Sequence, residues 1–264
     1  MTDHPEPSFS FDHLIHATNG PHATNSFDAT MQAYDAVGLP THAALTMPGF
    51  RNAAWGIDDE RYVELAVVED WDAVADTPFG DSLSLLRAVF DASAPGLAAF
   101  AVHVPDAHAT AASLRENGHD VHVADIRLED RDAGFTEVFV TDTPAWFPFF
   151  ISYDPPRATI ARMRADHRVA QGGSPEQPST TGPDISCLLV RSDAPHEDAH
   201  RLAEVLDLPV RDDPPGATVP LPGAEIRFTR GSPTGLYGFG VVRTGPDGLA
   251  GPVEIAGATV VPDD

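Results

Sequence analysis

The chain has 264 residues, 42% of them hydrophobic and 21% charged, which suits one large or two small globular cores and argues against wholesale disorder. Its 40 acidic residues outnumber 16 basic ones and leave a net charge of -24, so nucleic acid and anionic membranes are disfavoured as partners.

Every basic residue is arginine. Acid excess without lysine points to a halophilic protein, whose carboxylates hold water while salt screens their repulsion. A GC-rich genome is the alternative, though it explains the charge less well. Residues 1–10 carry no apolar run and no basic residue, so no secretory signal is expected there. No stretch approaches the roughly 18 apolar residues of a membrane span. Cys187 is the single cysteine, which rules out an internal disulfide and agrees with a cytoplasmic location.

Three stretches share one order, a strand, a helix and further strands, at a spacing of roughly 85 to 90 residues. The first opens with a strand over 9–18 and a helix from about Asn25 that stops at Gly38, followed by strands at 42–47, 53–57 and 62–68. A bridging helix is expected over 77–92. The second opens with a strand at 97–104 and a helix capped by Asp106 and ended by Gly118, then strands at 119–126, 137–141 and 147–153. Residues 171–183, rich in Gly, Pro, Ser and Thr, make the best linker. The third opens at 185–190, continues into a helix begun by Asp193 and Pro195, and has strands at 225–229, 236–243 and 253–260. The predicted class is α+β, with tandem βαβββ modules curving round an open-barrel cleft over 1–170, a linker over 171–183 and a third related module over 184–264.

Paired sheets of this kind leave a cleft lined by alternate residues. Alternation on the first strand puts Phe11, His13, Ile15 and Ala17 on one face and Asp12, Leu14, His16 and Thr18 on the other. His13 and His16 therefore cannot share a metal. Glu64 alternates within an apolar strand, where a solvent-facing glutamate is unusual; an ion pair with Arg61 or Arg51 is its plainer explanation. A histidine and a glutamate on neighbouring cleft strands supply nitrogen and oxygen donors for a divalent first-row ion, although two ligands alone hold one weakly.

These residues carry a resemblance. The runs FDHLIHA (11–17), GFRNAAWGIDDERYVELAVV (49–68) and FPFFISYD (147–154) resemble the glyoxalase-like group of the vicinal oxygen chelate superfamily, over roughly 9–155. The resemblance implies paired βαβββ modules and a divalent metal (Zn, Ni, Mn or Fe) held by residues from the first and last strand of each module. By position His13 and Glu64 match the first pair. Ala99 and Ser152 stand where the second pair would carry a histidine and a carboxylate.

The expected metal ligands are thus His13 and Glu64, with Glu64 and His42 as catalytic groups. Asn52, Trp55, His103, Phe149 and Ser152 are expected to contact substrate, Asn52 by orienting a carbonyl or carboxylate. His103 is on Ala99's face but more than 10 Å along the strand, a poor direct substitute. The implied activity is that of a metal-dependent lyase, isomerase or dioxygenase acting on a small carbonyl or diol compound. The alternative is a binding or sequestering protein with an apolar pocket and a degenerate metal site. A homodimer is the expected assembly, with the third module structural or at the dimer contact. Cys187, inside ISCLLV, is expected to be a buried small hydrophobe.

Overall fold

The structure, a computed structural model, describes residues 9–18, 23–91, 95–128, 132–170, 183–242 and 249–263. The predicted linker at 171–183 lies, apart from Pro183, outside the described residues. Among these residues no helix is long and apolar enough to cross a membrane.

The first module consists of β1 (Ser10–Ala17), α1 (Ala23–Ala36), β2 (His42–Met47), β3 (Phe50–Gly56) and β4 (Tyr62–Val68). A one-turn helix that the sequence reading lacks, α2 (Trp71–Ala75), precedes α3 (Gly80–Phe90), which is the bridging helix expected over 77–92. Asp70 caps α2 by accepting from the backbone N–H groups of Asp72 and Ala73. The second module is β5 (Gly96–His103), α4 (Ala107–Glu116), β6 (Val121–Leu128), β7 (Ala133–Val140) and β8 (Phe149–Asp154). As the sequence predicts, Asp106 caps α4, accepting from the N–H of Ala109.

The two modules form one eight-stranded curled sheet in the order β2-β3-β4-β1-β5-β8-β7-β6. β1 runs parallel to β4, β5 runs parallel to β8, and β1 and β5 meet antiparallel at the centre. This pairing repeats each module about a local twofold at the β1–β5 seam and brings both modules' cleft faces round one space. A helix missed in the sequence, α5 (Arg157–Ala170), follows β8. Two prolines precede it, and Ile160, Met163 and Arg164 line the cleft from positions i, i+3 and i+4.

The C-terminal module has more strands than predicted. After β9 (Asp184–Ser192) and α6 (Pro195–Leu206), its strands are β10 (Arg211–Asp213), β11 (Gly216–Val219) and β12 (Glu225–Arg230). The next strands, β13 (Gly235–Val242), β14 (Val253–Ile255) and β15 (Ala258–Pro262), belong to a further, shortened repeat. The sheet order β10-β11-β12-β9-β13-β15-β14 copies that of the first sheet: β9 is parallel to β12, β13 is antiparallel to β9, and β15 is parallel to β13. β10 and β11 escape periodicity because strands of three and four residues hold too few alternations to read.

Both sheets share one hydrophobic core, which runs from Phe11, Leu14 and Trp55 through Trp146 to Phe228, Phe239 and Val260. Phe239 stacks on Trp55 and Tyr34, and Phe228 meets Trp146 edge-on at 5.0 Å. Cys187 is fully buried, as expected, and burial pushes its thiol upward. His16 ties the sheets together: its Nε2–H donates to the Ala256 carbonyl at 2.9 Å, and its Nδ1 accepts from the Tyr34 hydroxyl. Burial holds His16 at about 4, hence neutral near pH 7.

Gly257 makes the sheet contact possible. Its φ of +84° suits glycine, and a Cβ there would lie 2.1 Å from the Pro95 carbonyl oxygen. Gly257→Ala is therefore expected to cost about 2 kcal/mol or more, read as a lowered denaturation midpoint. An unchanged midpoint would mean that the two sheets are not seated against each other at Pro95.

Candidate functional site

The first sheet's concave face, covered by α3 and α5, encloses a cavity of about 660 Å³. Much of its wall is apolar, with Ile15, Leu83, Ile160 and the rings of Phe79, Phe135, Phe139 and Phe149. His13, Asn52, Glu64, Ser82, Glu137, Tyr153 and Arg164 add polar groups.

His13 and His16 lie on opposite sides of β1, as alternation requires, but Asp12 departs from the pattern. The β1–β5 register shifts between Phe11 and His13, so Asp12 is the extra residue of a bulge. Phe11 turns into the shared core while the Asp12 carboxylate reaches the neighbouring imidazole. There the Nδ1–H of His13 donates to Asp12 Oδ1 at 2.7 Å, since an ionised carboxylate can only accept. The Tyr153 hydroxyl donates to the same oxygen at 2.7 Å, and Arg157 Nε lies 3.2 Å from the other. Burial alone would raise the pKa of Asp12; His13, Arg157 and Arg164 outweigh it and hold the group at about 2.

With Nδ1 occupied, His13 presents Nε2 to Glu64, 3.9 Å from Oε2. The other carboxylate oxygen, Oε1, accepts from Asn52 Nδ2 at 2.7 Å. Asn52 Oδ1 in turn accepts the Leu45 N–H at 2.8 Å, so the amide positions Glu64, with one Nδ2–H beyond that bond on a side chain that lines the cavity. Neither arginine weighed as a partner for Glu64 takes it: Arg61 pairs with Asp58 and Asp184, and Arg51 with Asp28 and Glu69. Tyr62 stacks on the imidazole at 4.7 Å, and Arg164 lies over Tyr62.

The second module contributes differently. The β7–β8 register sets Phe149, Ile151 and Tyr153 on the cavity face, with Glu137 opposite Ile151. Ser152 points the other way, where its Oγ accepts the Ala107 N–H at the start of α4. It is corrected from substrate contact to helix support. Ala99 does pack on the cleft side, beside Ala101, Phe149 and Ile151, and offers no donor. Two further expectations are corrected. Trp55 faces the shared core, 1% exposed and stacked on Phe239. His103 stacks on Tyr153 and borders a separate crevice with Ser10, Arg157 and Gly223. His42, on edge strand β2, and Phe149 do line the cavity.

Glu137 is the residue that sequence reasoning missed, although Phe135, Glu137 and Phe139 repeat the signal that singled out Glu64: an acid alternating within an apolar face. It is buried, and one oxygen takes a short hydrogen bond from the Ser82 hydroxyl of α3. Burial, aided by Glu64 and Asp12 and opposed by Ser82 and His13, pushes it up to about 7. A raised carboxyl favours the fold below its unfolded value near 4.5, and that contribution is lost as pH rises through about 7. Glu137→Gln should therefore gain stability relative to the parent by about 2–3 kcal/mol between pH 5 and pH 8, measured by urea denaturation at each pH. A difference independent of pH would place Glu137 in contact with solvent.

The donors present go part of the way to a divalent-ion site. His13 Nε2 and Glu64 Oε2 are close enough to face one ion, and Asp12 orients the imidazole as a carboxylate behind a ligand does. Among the described residues, however, no three His, Cys, Asp or Glu side chains come together as a metal site. Half a chelate is present, and the residues do not complete it.

A family profile described as a glyoxalase-like domain matches residues 11–206. In fold, the chain is similar to a hypothetical protein from Staphylococcus aureus, with a TM-score of 0.72 at 16% identity over 97% of this chain and 98% of that one. It is also similar to the Mn(II)-bound glyoxalase from Novosphingobium aromaticivorans, with a TM-score of 0.56 at 13% identity over 95% and 80% of the two chains. Streptomyces coelicolor methylmalonyl-CoA epimerase matches over 54% of this chain and 95% of its own, at 21% identity and a TM-score of 0.37. No curated protein matches by sequence. With the profile spanning well over half its length, the chain belongs to the glyoxalase-like domain family and has the fold of the vicinal oxygen chelate superfamily.

Proposed function

We propose that the cavity binds a small, largely hydrophobic carbonyl compound and that His13 and Glu64 move a proton on it, as in a lyase or isomerase of the glyoxalase type. The observation that carries this reading is the pair itself: two proton-handling atoms 3.9 Å apart, facing one apolar cavity, each residue held from behind by Asp12 or Asn52. Glu64 Oε2 takes the proton from the carbon next to the carbonyl, and His13 Nε2 lies close enough to share it. The aromatic walls exclude water and strengthen both electrostatic contacts.

The Mn(II)-bound relative makes a divalent ion the natural addition, and such an ion would polarise the carbonyl oxygen when bound. With two protein donors this chain would hold it weakly, and no step here depends on it. A second reading, binding without chemistry, is supported by the apolar second half of the cleft, where Ala99, Ala101 and Ile151 carry no reactive group.

Deuterium exchange at the α-carbon of 2-hydroxyacetophenone, followed by proton NMR in D₂O, separates the two readings. Proton transfer predicts exchange above the buffer rate, lowered at least about 100-fold in Glu64→Gln. Saturable binding with exchange at the buffer rate would overturn it in favour of the binding protein.

A further inference from the structure

The charges around the cavity are lopsided. Glu64 and Glu137 both line it, and so do Asp58 and Asp59. Among the described residues, Arg164 is the one arginine that lines it, and it is committed: its guanidinium donates to the Glu60 carbonyl and the Tyr153 hydroxyl and lies over Tyr62. His13 is engaged by Asp12 and faces Glu64.

Among the described residues, no arginine or histidine comes within ion-pair distance of Glu137. It is 8% exposed, its Oε2 is met by a neutral hydroxyl, and its Oε1 has no hydrogen bond among the described residues. A buried carboxylate so placed is costly unless a positive group arrives. Its surroundings suit one. Phe135 and Phe139 flank it on β7, Phe139 stacks on Phe149 at 5.0 Å, and Phe79 packs against Phe135 at 5.6 Å. Aromatic faces beside an acid attract an organic cation through the ring quadrupole and repel an anion.

We propose that the ligand of this cavity carries a protonated amine, which Glu137 and the phenylalanine wall receive. This rests on the reading of the cavity as the ligand site and adds to it a substrate class: a hydrophobic compound with an ammonium group, as in an amino ketone. Anionic compounds, acyl phosphates and carboxylates included, are turned away by Glu64 and Glu137 together.

The test is calorimetric titration of the full chain with three probes of similar shape: 2-phenylethylamine, 2-phenylethanol and phenylacetate. The expected order is amine at least tenfold tighter than alcohol, with phenylacetate weakest. Glu137→Gln should bring the amine to within threefold of the alcohol. Phe139→Leu keeps the acid and removes a ring face, so it should lower the preference for the amine by a smaller factor and serves if Glu137→Gln fails to fold. Alcohol or phenylacetate binding as tightly as the amine, or a preference that survives both substitutions, would overturn the charge inference alone. Failure of all three probes to bind at millimolar concentration would overturn the cavity as ligand site as well.

Discussion

Asp12→Ala is expected to destabilise the fold by about 3–5 kcal/mol, the cost of removing one partner from a buried ionic cluster. The carboxylate is fully buried and meets the imidazole of His13, the hydroxyl of Tyr153 and the guanidinium of Arg157. Its loss takes the buried countercharge from Arg157, which keeps Ser10, Phe11 and Glu60 as partners, and leaves the His13 ring without the bond that fixes its tautomer. Because Asp12 is held at about 2, below its ordinary 3.8, its contribution is fully present above pH 3.8 and is lost as pH falls through 2. Urea denaturation at pH 7 measures the difference, and a loss below about 1 kcal/mol would mean that water already reaches the carboxylate. Asp12→Asn should retain part of the stability, because an amide still accepts from Tyr153 and from the imidazole.

The second large effect concerns the C-terminal sheet. We propose that it acts structurally, and a chain ending at residue 182 is expected not to fold as a cooperative unit. Trp55, Tyr34 and Trp146 are 0–1% exposed; Phe239 stacks on the first two and Phe228 packs edge-on against the third. Uncovering three such side chains costs on the order of 2–3 kcal/mol each, together comparable to a whole domain's stability of about 5–15 kcal/mol. The bridges from His16 to Ala256 and from Arg61 to Asp184 would be lost as well. Broad, non-cooperative thermal melting with dye-accessible apolar surface is the expected result. Sharp melting of the shortened chain, with full affinity for a cavity ligand, would make the paired modules a domain in their own right.

How much was readable in advance follows from which interactions are local. His13 and Glu64 stand out because each breaks an alternating apolar pattern, a signal carried by a few consecutive residues. Asp12 was assigned to the wrong face because the bulge at Phe11–His13 arises from pairing with β5, about 90 residues away, and leaves no mark in the local alternation. Ser152 was misplaced for a related reason: the cleft face of β8 is set by its register against β5 and β7, which brings Ile151 opposite Glu137. Trp55 could not be assigned to the core without knowing that Phe239 would cover it. Glu137 was within reach, since the alternation of Phe135, Glu137 and Phe139 is as plain as that around Glu64. The resemblance implies a carboxylate on the last strand of the second module, at Ser152, whereas the acid that this module brings to the cleft is on β7. The first module is legible strand by strand, whereas the repeat formed by β13 to β15 shows itself only through sheet order.

The cleft divides unequally: its first module carries an oriented imidazole and a held carboxylate, and its second carries apolar groups and the isolated Glu137. Titration of chelator-free protein with Mn²⁺, followed by calorimetry and by metal content after gel filtration, probes that division most directly. Two protein donors predict binding too weak to survive gel filtration, with a dissociation constant above about 100 μM. Near-stoichiometric metal that co-purifies with the chain and is lost in both His13→Ala and Glu64→Ala would contradict it, and would require a third protein ligand in the cleft.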